Sequence, residues 1–266
     1  SGRYGGDSSA TADEIDADGS SAVTQVFSTE TASAALREDG SVVTWGESKD
    51  GGDSSAVADR IDADNDTPEV TQMFSTLYAF AALREDGSVV TWGDNERGGD
   101  SSAVPEAIDA DGSSAVTQVF STEEAFAALR DDGSVVTWGR DDYGGDSSSV
   151  ADAIDAHGSP AITQVFSTER AFAALRDDGS VVTWGRNDYG GDSSSVADAI
   201  AANGVPAVMQ VFSTESAFAA LREDGSVVTW GDFNWGGDSS SVADAIDADG
   251  APTVTKVFST GGAFAA

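Results

Sequence analysis

Residues Ala79 to Gly93 read Ala-Phe-Ala-Ala-Leu-Arg-Glu-Asp-Gly-Ser-Val-Val-Thr-Trp-Gly. Two short runs rich in Phe, Val, Thr and Trp flank an acidic Asp-Gly step, the pattern of two strands joined by a tight hairpin. The next copy of this stretch extends the reading in both directions. Glu124 to Arg130 and Ser134 to Gly139 repeat the two strands around Asp132-Gly133, and Ala115 to Thr122 adds a third strand before them. Ala127 and Ala128 are weak strand formers, so close packing against a neighbour decides their state. Downstream, Asp146 to Ile154 opens on capping residues and places Val150 and Ile154 four apart, which predicts a helix of one or two turns. Asp109-Ala110-Asp111-Gly112 and its equivalents then predict a turn.

The whole chain of 266 residues is this unit copied. Gly-Gly-Asp-Ser-Ser begins at Gly5, Gly51, Gly98, Gly144, Gly190 and Gly236, so successive spacings are 46, 47, 46, 46 and 46. The extra residue falls at Asn65-Asp66-Thr67-Pro68-Glu69, which marks that segment as a loop. Three short strands cannot bury both faces alone, and a period of this length fits a propeller blade or a solenoid coil.

Ala79 to Gly93, followed by a short spacer and a Gly-rich step, resembles the regulator-of-chromosome-condensation type of β-propeller repeat. That pattern runs Ala-Leu, Asp-Gly, a Val-rich strand, Trp-Gly and a Gly-containing turn. The resemblance recurs along nearly the whole chain and implies an all-β propeller of six repeat units in one repeat domain, each unit with three strands and a short helix. Two departures stand beside it. The family's Gly-Gln-Leu-Gly-like step and Pro-containing strand are replaced by Gly-Gly-Asp-Ser-Ser and the predicted helix. Against a usual ring of seven blades, this chain holds six Phe-Ser-Thr strands, at Phe27, Phe74, Phe120, Phe166, Phe212 and Phe258, but five Trp-Gly strands. Ser1 to Tyr4 match the spacer Arg140 to Tyr143, and the final unit stops inside Ala-Phe-Ala-Ala, so a piece of a longer array is expected, or a last blade with an open edge.

Composition bounds the function. Thirteen Lys and Arg against 47 Asp and Glu give a formal net charge of −34, which argues against nucleic acid as a partner. No run approaches the roughly 18 to 20 apolar residues of a membrane span, so membrane insertion is not expected. The absence of Cys excludes disulfides and thiolate chemistry. The acid is 34 Asp against 13 Glu, and Lys is confined to Lys49 and Lys256. Short carboxylates with scarce Lys fit an extracellular or high-salt setting, where counterions screen self-repulsion; duplication of one acidic unit accounts for the same counts.

Catalysis has few candidates. The lone His157 occupies a slot held by Asp18, Asp111 and Asp249 in other copies, which reads as a loop substitution and not as the base a Ser nucleophile needs. Acids that recur in every copy are not the asymmetric pair of a glycosidase. No cofactor is expected. Weak calcium binding is the sharper alternative, because Asp16-Ala17-Asp18-Gly19 offers alternating carboxylates. Asp155-Ala156-His157-Gly158 and Ala201-Ala202-Asn203-Gly204 lose the ligands and keep the Gly, which favours a turn. Gly-Gly-Asp-Ser-Ser could hold an anion at a helix start, but its Asp makes it read as a capped helix lead-in. The Trp of each Trp-Gly recurs at one strand position and reads as core. Light-sensing members of the resembled family use extra Trp beside Arg, and no such cluster is evident in this sequence.

Differences between copies concentrate at two places: the four residues after Trp-Gly and the two after Phe-Ser-Thr. Aromatic and Arg side chains at such loops are common interface anchors. The candidates are Tyr4, Tyr78, Arg97, Arg140, Tyr143, Arg170, Arg186, Tyr189, Phe233 and Trp235; drift at tolerant positions is the competing reading. Tyr4, Tyr143, Tyr189 and Trp235 are expected on a common rim, as loop tips carrying little core. The expected function is a non-enzymatic protein-interaction or structural module whose partner is a protein or a neighbouring subunit, in a larger assembly or longer chain. A calcium-linked extracellular adhesive repeat is the alternative. The exchange activity on small GTPases and the chromatin binding of the resembled family are not carried over, for want of a basic tail.

Overall fold

The structure is a computed structural model that describes residues 8–11, 15, 21–62, 67–109, 114–155, 160–202, 206–247 and 253–266. Tyr4, His157 and most of each Asp-Ala-Asp-Gly segment lie outside the described residues. Those described form an all-β fold of five three-stranded antiparallel sheets and one of two strands. The first sheet is β1 (Val23–Ser28), β2 (Ala32–Arg37) and β3 (Val42–Gly46), and the second is β4 (Val70–Ser75), β5 (Ala79–Arg84) and β6 (Val89–Gly93). The third holds β7 (Val116–Ser121), β8 (Ala125–Arg130) and β9 (Val135–Gly139). The fourth holds β10 (Ile162–Ser167), β11 (Ala171–Arg176) and β12 (Val181–Gly185). The fifth is β13 (Val208–Ser213), β14 (Ala217–Arg222) and β15 (Val227–Gly231), and the sixth β16 (Phe258–Ser259) and β17 (Phe264–Ala265). The chain divides into two compact units, Ser1–Asp131 with Val136–Arg140, and Asp132–Val135 with Asp141–Ala266.

The middle strand explains why Ala is tolerated in a sheet. Ala79, Phe80, Ala81, Ala82 and Leu83 are all buried, because one sheet face meets the preceding sheet and the other the following one. Successive side chains alternate between the two. Phe80 and Ala82 pack with Ala34, Leu36 and Val42 of the first sheet. Ala79, Ala81 and Leu83 pack with Val119, Phe126 and Trp138 of the third. In the second unit Ala171, Ala173 and Leu175 meet Phe218 and Trp230 in the same way. Small side chains bring the sheets close, and the aromatic ones fill the space that remains.

The Asp-Gly hairpin is tight, but Gly is not half of a two-residue turn. The Gly87 N–H bonds the Arg84 carbonyl and the Arg84 N–H bonds the Ser88 carbonyl, closing a three-residue loop. Gly87 carries the left-handed backbone (φ 80°), and no other residue type has a positive φ among those described, so this is a turn followed by a glycine bulge. A Cβ on Gly87 would come within 2.5 Å of the Ala115 side chain. The Gly87 carbonyl accepts the Val116 N–H at 2.9 Å, so each hairpin is also the seat of the next sheet. Asp86 takes the N–H and hydroxyl of Ser88 at 2.9 and 2.6 Å.

The Gly-Gly step clamps neighbouring sheets together. Trp92, Trp138, Trp184 and Trp230 each donate the indole N–H, at 3.1 to 3.2 Å, to the first Gly carbonyl of their own copy's Gly-Gly (Gly51, Gly98, Gly144 and Gly190). The indole stacks on the Phe of its sheet, with Phe80–Trp92 centroids 5.4 Å apart. That Phe lies against the same Gly: a Cβ on Gly51, whose φ is 101°, would meet the Phe80 ring at 2.6 Å. The Asp that follows caps what comes next, as Asp146 does by accepting the Ser148 N–H at 2.8 Å. Ser148–Val150 and Ala151–Ile154 are then a 3-10 turn and one α turn, with Ile154 buried. The predicted helix is present, and Gly-Gly-Asp-Ser-Ser is a clamp and cap.

Candidate functional site

In four copies the two variable places meet in space, and an invariant Thr brings them together. In Phe-Ser-Thr, the Thr76 hydroxyl accepts the Ala79 N–H at 2.9 Å and lies 3.2 Å from the carbonyl of Arg97, the last spacer residue. Thr168 stands 2.9 Å from the Tyr189 carbonyl and Thr214 2.9 Å from that of Trp235. The backbone then links successive turns. Glu30 N–H bonds Leu77 O and Leu77 N–H bonds Glu123 O in the first unit; in the second, Glu169 bonds Glu215 and Glu215 bonds Gly261.

In the first unit the meeting side chains form a charged relay. Thr31 bonds the Asp50 carboxylate. The Arg97 guanidinium lies 4.0 Å from the centre of the Tyr78 ring, and its Nε is 3.4 Å from the Glu124 carboxylate. Glu124, only 6% exposed, also receives Arg140 at 2.8 Å. Burial, then the neighbouring Glu30 carboxylate, raises the Tyr78 phenol above its ordinary range. Lys49 reaches across to Asp94 at 2.7 Å. Burial alone would raise Asp94, but the Lys49 ammonium and the Glu96 N–H outweigh it and hold the carboxylate low.

In the second unit the same positions hold a cation between rings. The Arg170 guanidinium stands 4.9 Å from the Tyr143 ring centre and 4.7 Å from that of Tyr189. Arg186 lies 5.5 Å from Tyr189 and binds Asp188 at 2.8 Å. The fifth spacer differs: Phe233 is 71% and Trp235 38% exposed.

The structure thus joins Tyr78, Arg97 and Arg140 through Glu124, joins Tyr143, Arg170, Tyr189 and Arg186, and sets Phe233 and Trp235 apart. One expectation is corrected. Tyr143 is no loop tip: it is 6% exposed, because Arg170, arriving from the next sheet's turn, covers its ring. Tyr189 is half-buried for the same reason. Two members of the site, Glu124 and the Phe-Ser-Thr threonine, went unchosen in the sequence. The available signal was an invariant Thr directly before every variable pair.

Blade-like antiparallel sheets, bulged hairpins and Trp-to-Gly clamps define an all-β repeat protein of the propeller class. Residues 162–190, which run from β10 through β12 to the Gly-Gly step, match the family described as Regulator of chromosome condensation (RCC1) repeat. No curated protein matches the sequence. Solved structures similar to it include human WBSCR16, at 19% identity over 80% of this chain and 62% of that one, with a TM-score of 0.48. Prp20p of Saccharomyces cerevisiae is similar at 18% identity over 88% of this chain and 61% of that one, TM-score 0.49. The CRINKLY WD40 ectodomain of the Arabidopsis thaliana receptor kinase ACR4 follows at 15% over 79% and 64%, TM-score 0.45. The chain spans about three fifths of the first two structures.

Proposed function

We propose that the chain is a non-enzymatic protein-interaction or structural module of a larger assembly or longer repeat chain, and that the paired spacer and turn residues are its recognition surface. The carrying observation is the contrast within each copy. The clamp Trp and Gly-Gly are the same from copy to copy, and the clamp Phe is replaced only in the first sheet, by Ser33, whereas the loop pair reads Thr31–Asp50, Tyr78–Arg97, Arg170–Tyr189 and Ser216–Trp235. A frame that holds different side chains at equivalent places supplies what a partner needs to tell one edge from another. The calcium-linked adhesive alternative has no observation in its favour. The Asp-Ala-Asp-Gly segments that prompted it lie mostly outside the described residues.

The test resets each loop pair of the second to fifth sheets to the Thr–Asp pair of the first, and compares the proteins that cross-link to the parent and to the variant in the source organism's extract. A partner held by the parent and lost by a still-folded variant supports the reading. Identical partner sets would overturn it.

A further inference from the structure

Four ring–cation contacts among the described residues show what these loop positions hold. Arg97 lies over Tyr78, Arg170 over Tyr143, and both Arg170 and Arg186 over Tyr189. The fifth spacer has the largest ring and, among the described residues, no such cation. Trp235 is flanked by the turn-site residues Ser216, which is buried, and Gly262, which has no side chain. A Cβ on Gly262 would lie 3.1 Å from the indole, so Trp235 rests on bare backbone at the place equivalent to Arg170. Trp235 is part-exposed, and Phe233 of the same 3-10 turn is exposed. Carboxylates stand close by. Glu215 Oε1 would lie 2.7 Å from a Cβ on the adjoining Gly261, and Asp232 precedes Phe233, its side chain accepting the Asn234 N–H. An aromatic face next to carboxylates, on a body of net charge −34, complements a planar cation.

We propose that Phe233 and Trp235 dock an arginine side chain from a basic segment of a protein partner, completing from outside the ring–guanidinium contact that the molecule makes within itself at Tyr78, Tyr143 and Tyr189. Arginine is specified over lysine because a guanidinium stacks flat on an indole while its edge N–H groups reach carboxylates. The proposal rests on the interaction-module reading and names the partner chemistry of one of its loops.

The probe is the peptide Gly-Arg-Gly-Arg-Gly-Arg-Gly against its Lys counterpart, followed through the Trp235 indole N–H resonance, assigned with Trp235→Phe. At about 0.15 M salt the Arg peptide is expected to move that resonance to saturation and to bind at least about fivefold tighter than the Lys peptide. Phe233→Ser with Trp235→Ser removes the preference and leaves the general attraction to an acidic surface. Gly262→Arg is the sharper variant: Gly262 has no left-handed φ, so the new side chain fills the slot as Arg170 does and abolishes the shift in a folded protein. Equal affinities with an unmoved indole resonance would overturn the proposal. So would self-association of the parent that Gly262→Arg abolishes, since the occupant would then be another molecule of this chain. If the peptide binds but the loop-reset variant keeps every partner, the module reading fails and the slot stands; the opposite pair of results removes the slot alone.

Discussion

The Trp–Gly clamp and the loop pairs lie at the two ends of the same spacer, yet one is uniform and the other varied. The clamp residue Trp184 touches three things at once: Phe172 of its own sheet, the Gly144 carbonyl of the preceding connection, and the packed face between sheets. A change there must be answered in several places, and repetition preserves the answer. A loop residue answers mainly to its opposite number. Arg97 suits Tyr78 and Glu124, Arg170 suits two tyrosines, and either set can be exchanged as a set without touching the frame. Uniformity therefore marks multiple constraint, and variation marks pairwise constraint.

The widest break in that contrast is Trp184→Ala, expected to cost about 3–5 kcal/mol in urea unfolding, against less than about 1 kcal/mol for the part-exposed Trp235→Ala. Trp184→Phe separates packing from hydrogen bonding: it keeps the ring contact but removes the donor to Gly144, for about 1–2 kcal/mol. Equal losses at Trp184 and Trp235 would show that the clamp is not the stronger constraint.

Acid attacks the frame through its caps. Hydrogen bonds from the following Ser hold Asp100, Asp146 and Asp192 below the ordinary carboxylate range. For Asp86, Asp178 and Asp224 burial pushes upward, but the Ser hydroxyl and N–H and the adjacent Arg prevail, and these too are lowered. A depressed folded pKa gives stability that is complete above the unfolded value of about 3.9 and disappears as pH falls through the folded value. The −34 charge acts oppositely, since protonating uncapped acids relieves repulsion. Tm is therefore expected to hold or rise slightly down to about pH 4.5 and then fall by at least about 5 °C by pH 2.5. A monotonic rise would show repulsion dominating the caps. The same repulsion predicts that Tm at neutral pH increases between about 0.01 and 1 M salt, although screening also weakens the Arg97–Glu124–Arg140 relay.

That relay tests pairwise constraint directly. Glu124→Gln is expected to cost about 1 kcal/mol, because both arginines keep contact with water. In Arg97→Gln the loss of Glu124→Gln should shrink by more than about 0.3–0.5 kcal/mol, the limit for independent sites. Strict additivity would mean that the two loops do not read each other.

Strand order, the Asp-Gly hairpin and the role of Trp were legible because each depends on residues within one copy. The relay was not. Tyr143 is covered by Arg170, 27 positions further on, and neither residue announces the other, since each stands in a segment that looks like an ordinary polar loop. Thr168 ties the Arg170 turn to a second distant place, its hydroxyl facing the Tyr189 carbonyl 21 residues away. Local pattern identifies a strand end at that Thr but cannot say which distant carbonyl lies beside it.

The smallest effect sits where the frame itself lapses. In four sheets the first strand slips register after its opening residue, and the bulged Thr donates its hydroxyl at 3.1 Å to a middle-strand carbonyl: Thr24 to Leu36, Thr71 to Leu83, Thr117 to Leu129 and Thr163 to Leu175. The fifth sheet keeps the slip between Val208 and Gln210 but puts Met209 at the bulge, 63% exposed. The register therefore does not depend on the hydroxyl; the bond is added to a bulge that packing already sets. Met209→Thr should restore the bond to Leu221 and raise stability by about 0.5–1 kcal/mol, with the β-branched side chain also favouring the strand. The reverse change, Thr163→Met in the fourth sheet, should lose a similar amount. A Met209→Thr variant no more stable than the parent would mean that the repeated Thr is inherited from duplication and not held by its hydrogen bond.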